Sequence, residues 1–159
     1  MIAPKNIRQF IAIILLGITL VHNSAHANKR AKKEEAVALV KRAIAEYKAT
    51  GREKTFAAIS DPQGKYRDRE LFVVVLNSTG TVVAHPVHKK MIGASLMQFR
   101  DPDGVYMVKD MMDKAKIEGS GWSVEYKFVN PDTKRTEPKL SYFEKYDDLL
   151  FFCGIYKPK

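Results

Sequence analysis

Residues 71–104, LFVVVLNSTGTVVAHPVHKKMIGASLMQFRDPDG, constrain the fold more than any other stretch. Leu71 to Leu76 is six consecutive apolar residues, three of them valine. Such a run suits a strand buried on both faces. Asn77-Ser78-Thr79-Gly80 turns the chain, and Gly80 can take a positive φ at no steric cost. Thr81 to His85 resumes the β-branched, apolar pattern, so the segment predicts a hairpin with a four-residue connection. Pro86 has no N–H for a ladder, which stops the second strand at His85. The hairpin thus ends on an imidazole, and a long loop carrying His88, Lys89 and Lys90 follows. A strand end with a polar group, opening into a loop, is a common place for a binding site.

The rest of the chain fits around that hairpin. Glu34 to Thr50 has apolar residues at helical spacing, with Val37, Val40, Ile44 and Tyr47 on one stripe. Glu34 and Glu35 favour its start, and Gly51 suits its end. Arg52 to Ser60 predicts a second, short helix. A third runs from Gly104 to Glu118, with Val105, Val108, Met112 and Ala115 aligned. Trp122, Val124, Tyr126 and Phe128 then alternate with polar residues, which predicts one half-buried strand. Lys139 to Tyr146 and Leu149 to Tyr156 form a last pair of strands around Asp147-Asp148. The expected architecture is α+β: an antiparallel sheet of about five strands, covered by helices, of the kind PAS-like domains use.

Residues 1–27 are read apart from the fold. Lys5 and Arg8 precede a largely apolar stretch from Phe10 to Val21, and Ala25-His26-Ala27 is an A-x-A cleavage signal. This predicts a secretory signal peptide cleaved after Ala27, and one exported, periplasmic domain over 28–159; an uncleaved N-terminal anchor is the rival reading. No later apolar run is long enough to span a membrane. At 45% hydrophobic and 28% charged, the chain is globular rather than disordered. Net charge is +9, yet lysine and arginine are scattered and no nucleic-acid motif is present, so no nucleic-acid partner is expected. Cys153 is the only cysteine, which excludes an intrachain disulfide, and its apolar neighbours predict a buried thiol.

No nucleophile elbow, phosphate loop or dinucleotide-binding glycine set occurs, so no catalytic residues are assigned and a non-enzyme is expected, without a cofactor. His85 and His88 at i, i+3 are a weak metal pattern, and Asp101-Pro102-Asp103-Gly104 reads as a turn. A different set is more informative. His85 ends a strand, Trp122 and Tyr126 share one face of another, Lys139 and Tyr142 lie on a third, and Tyr156 closes the last. Each has an apolar body and a polar tip, the composition of a small-ligand site. Lysine and histidine can hold a carboxylate, while tyrosine and tryptophan add neutral donors. Met107 and Met111 can line such a pocket from the third helix. Trp122 and Tyr126 serve equally as core, Lys139 as a solvated strand residue, and His85 as a satisfied core histidine. Lys139 and Tyr142 have opposite parity, so both reach one pocket only across a bulge or a strand end.

These segments, in this order, resemble a single Cache domain of the type-2 group. The matching pieces are Leu71–Leu76, Gly80-Thr81-Val82-Val83-Ala84-His85-Pro86, Ile92-Gly93, Asp101-Pro102-Asp103-Gly104, Gly119-Ser120-Gly121-Trp122 with Tyr126, Pro138-Lys139-Leu140-Ser141-Tyr142, and Gly154-Ile155-Tyr156. The resemblance implies a long N-terminal helix packed on a PAS-like antiparallel sheet. It also implies a pocket for small ligands, often short carboxylates, in receptors, histidine kinases and related signalling proteins. Two departures stand out. Arg67-Asp68-Arg69-Glu70-Leu71 replaces the glycine and aromatic usual before the first core strand. The fused membrane helix and output domain usual in the family are not seen before Lys159. The expected function is therefore a sensory module for a small organic anion, acting through a membrane-bound receptor or kinase partner. The alternatives are a structural or interaction domain whose pocket is filled by its own side chains, and a metal-assisted enzyme using His85 and His88.

Overall fold

The computed structural model describes residues 30–157. The expected leader and its cleavage point lie outside the described residues. The helices are α1 (Lys33–Thr50), α2 (Arg52–Ile59) and α3 (Met107–Glu118). The strands are β1 (Arg67–Asp68), β2 (Leu71–Asn77), β3 (Val82–Ala84), β4 (Ser120–Trp122), β5 (Tyr126–Val129), β6 (Thr136–Tyr146) and β7 (Leu149–Tyr156). The α+β reading holds, with the sheet antiparallel in every pairing.

Its spine is β2-β7-β6. The β6–β7 hairpin pairs without interruption from Lys139↔Tyr156 to Tyr146↔Leu149. On the other side of β7, β2 pairs from Val73↔Cys153 to Asn77↔Leu149. Short β1 and β3 extend the β2 edge, and β4 and β5 both pair with β6. Because β7 is flanked on both sides and covered on both faces, all its residues are buried.

Each face carries its own core. Odd-numbered residues of β2 (Leu71, Val73, Val75) and Phe151 and Cys153 of β7 pack under α1 and α2. The helix contributes Ala36, Leu39, Val40, Ala43 and Ile44, the i, i+3, i+4, i+7, i+8 stripe of an amphipathic helix. On the opposite face, Phe72, Val74, Leu76, Phe143 and Phe152 meet Met107, Val108, Met111 and Met112 of α3. The loop between β3 and α3 closes this second core with Leu96.

One expectation fails in an instructive way. The single strand read over Trp122–Phe128 is broken at Ser123-Val124-Glu125. Trp122 pairs with Tyr142, but Tyr126 pairs with Lys139, so this side holds one residue more than β6 does. That is a bulge, and it is pinned: the Ser141 N–H donates to Ser123 Oγ at 3.0 Å, and the Val124 N–H donates to Asp110 Oδ2 at 2.9 Å. A slip of one residue exchanges faces, so Trp122 and Tyr126 point to opposite sides of the sheet. The expected five strands become seven among the described residues for the same reason, together with the two-residue β1.

Candidate functional site

Lys139 is the anomaly of the second core. It stands near the start of β6, is 3% exposed, and makes no ion pair among the described residues. Its Nζ donates to Tyr156 Oη at 3.2 Å. Three rings surround the ammonium: Phe72 at 4.1 Å, Tyr156 at 4.5 Å and Phe128 at 5.2 Å from their centroids. Cation–π attraction and one hydroxyl compensate only part of the lost hydration. Burial accordingly pulls the Lys139 pKa down to about 7.

Gly154 permits this position. A Cβ there would stand 2.1 Å from Lys139 Cε and 2.7 Å from Ser141 Oγ. The lysine stem lies across the glycine of the neighbouring strand, in space any other side chain would fill. Tyr156 is fixed in turn by donating to the Val129 carbonyl at 2.8 Å, and Tyr126 Oη shares a 2.7 Å hydrogen bond with Ser141 Oγ.

His85 approaches from β3's end. Pro86 turns the chain there, and His85 Nδ1 accepts from the Val87 and His88 backbone N–H groups at 3.1 and 3.0 Å. Accepting at Nδ1 places the neutral ring's proton on Nε2. The ring stacks on Phe72 at 5.4 Å and meets His88 edge-on at 5.2 Å. Burial, then the proximity of His88 and Lys139, pushes the His85 pKa down to about 3. At neutral pH the imidazole is an uncharged donor.

These groups line a small hollow with Phe72, Met91, Met107, Tyr126 and Phe128, of about 20 Å³. That is room for about one water molecule. The methionines are the walls most able to give way.

The sequence reading gathered its candidates at one pocket; the structure divides them. His85, Tyr126, Lys139 and Met107 meet at the hollow. Met111 is buried one turn further along α3, in the same core and outside the hollow's lining. Trp122 and Tyr142 lie on the other face, rings 5.6 Å apart, beside the core under α1. The register of β6 is regular, so nothing brings Tyr142 round to Lys139; the bulge lies on the partner strand and carries Trp122 away too. Phe72, Met91 and Phe128 were absent from the expected set. Tyr156, expected with that set, pairs directly with Lys139 across the last hairpin and accepts its hydrogen bond from just outside the hollow's lining. His85 and His88 have no third ligand: the described residues contain no group of three His, Cys, Asp or Glu placed to hold a metal. Cys153 is buried on the α1 face, where burial pushes its thiol up to about 12.

The fold has solved counterparts. It superposes on the methyl-accepting chemotaxis protein of Vibrio parahaemolyticus with a TM-score of 0.66, at 18% identity over 78% of this chain and 87% of that one. A Cache chemosensory domain, described for carboxylic acid recognition, gives 0.68 at 19% identity, over 79% of this chain and 92% of that one. The periplasmic sensor domain of a chemotaxis protein gives 0.61 at 22%, over 79% and 90%. At such identities these show a shared fold. The sequence profile described as Single Cache domain 2 matches residues 7–154. With nearly the whole chain matched and the long helix lying on an antiparallel sheet, the protein belongs to the single Cache domain 2 family.

Proposed function

We propose that the protein is an exported, non-enzymatic sensory module that binds a small organic anion, a short carboxylate, and passes that state to a receptor or kinase partner. One observation carries the ligand class: the buried ammonium of Lys139, facing a hollow with a single neutral hydroxyl as hydrogen-bond partner. A carboxylate supplies the missing counter-charge through a charge-assisted hydrogen bond, and the Nε2–H of His85 supplies a neutral donor beside it. Membership of the Cache family supports the sensory reading, and the neighbour described for carboxylic acid recognition supports the anion.

The proton balance follows. Lys139 is about half charged near neutrality, and a bound anion favours the charged form. Binding therefore takes up a proton above about pH 7, and affinity falls as pH rises beyond that value. A second reading rests on the hollow's volume: a space for one water is also what a permanently closed structural core would contain.

A thermal-shift panel of two- to four-carbon carboxylates separates the two. A ligand at a hundredfold its Kd adds about 2.7 kcal/mol of stability. The anion reading expects such a shift in the wild-type protein and its loss in Lys139→Met. The same substitution removes an uncompensated buried charge, so the unliganded variant melts higher than wild type. No shift from any acid, or a shift that survives Lys139→Met, contradicts the anion reading.

A further inference from the structure

Two spaces meet at Met91 and Phe128. The inner hollow is the one described above. Outside it lies an open groove of about 780 Å³, running past Pro86, Val87, Phe99 and Val129, with Lys89 and Lys90 along it. Met91 and Phe128 line both spaces, so they form the partition. Phe128 is held within β5, its ring against Phe99 at 6.1 Å and Tyr126 at 6.4 Å. Met91 ends the single 3₁₀ turn Lys89–Met91 and is only half-buried. An unbranched thioether can swing there without a backbone shift.

We infer that Met91 is the door of the site, and that the guest is a monocarboxylate with an apolar tail, its head on Lys139 and its tail lying in the outer groove. This rests on the anion reading above. The inner space takes a carboxylate head only as its methionine walls yield, so the remainder of any larger guest must pass the partition. Beyond it Pro86, Val87, Phe99 and Val129 give the groove an apolar floor beside His88, Lys89 and Lys90, and Val129 is 47% exposed. A tail that covers Val87, Phe99 and Val129 removes apolar surface from water. A second carboxylate in the same place would leave that apolar surface uncovered and gain only the exposed, hydrated Lys89 and Lys90 as charged partners, which contribute little. The exposed Lys89 and Lys90 attract the anion toward the door.

Calorimetric titration of the purified protein with straight-chain monocarboxylates of two to eight carbons, and with succinate, tests this. Kd falls about fourfold for each methylene that enters the groove. Succinate binds more weakly than butyrate, and Val129→Asp flattens the chain-length series. A Kd that stays level or rises beyond four carbons, or succinate equal to butyrate, overturns the inference. If acetate binding then still depends on Lys139, the anion reading stands without it. Failure of every acid to bind wild type removes that reading and the inference together.

Discussion

At the scale of single residues, one lysine and one glycine define the site. A charged side chain is rarely buried without a charged partner, and Lys139 is, with its stem laid over Gly154. Gly154→Ala puts a methyl group where the lysine runs. The expected cost is about 1–3 kcal/mol from overpacking, with the ammonium pushed out of place and anion binding weakened. Denaturant unfolding and a titration with acetate measure the two effects; an alanine variant of unchanged stability and affinity removes Gly154 from the account. Lys139, His85 and Tyr126 were legible in the sequence because polar tips in apolar strands are rare enough to notice. Phe72 and Phe128 were not, since an aromatic in a strand gives the same signal whether it packs on a neighbour or on an ammonium. Gly154 was noticed only as part of a family pattern, because the need for an absent side chain depends on what the adjacent strand sends across it.

At the scale of elements, hydrophobic period located the helices and the β2, β6 and β7 strands, which pair with one another through β7 in unbroken register. It failed at Ser123-Val124-Glu125, where hydrogen bonds to Ser141 and Asp110 create the bulge. Those partners are distant in sequence, so strict alternation there gave no warning. A second long-range tie fixes the entry into α1. Glu137 accepts from Arg30 at 2.6 Å, Asn130 at 3.0 Å and Thr133 at 2.7 Å, while Glu70 accepts the Ala31 N–H at 2.8 Å. The Arg30 guanidinium first, with Thr133 and Asn130, holds the Glu137 pKa down at about 2 against burial. A carboxylate depressed in the folded state stabilises fully above its unfolded pKa, and that contribution is lost as pH falls from about 4.3 through about 2. Glu137→Gln should cost about 2 kcal/mol at pH 7, and the gap to wild type should narrow by pH 3. Urea unfolding at the two pH values measures it; equal gaps would show that the carboxylate's charge is not what holds the segment. Glu137 lies two residues before Lys139 on β6, so the clip on the entry segment and the hollow share one strand.

At the scale of the whole molecule, the sheet separates two cores of different character. The α1 face is continuous packing of aliphatic and aromatic side chains. The α3 face is rich in methionine and encloses Lys139, the one buried lysine among the described residues. Adaptable side chains and an uncompensated charge sit together on that second face, where the proposed guest would enter without disturbing the α1 packing. No helix among the described residues is long and apolar enough to cross a membrane. The measurement that meets the central claim directly is a crystal structure of the protein grown with a saturating monocarboxylate. The account predicts a carboxylate oxygen about 2.8 Å from Lys139 Nζ, with Met91 swung away from Phe128. A carboxylate bound elsewhere, with the Lys139 hollow closed and unchanged, would contradict it.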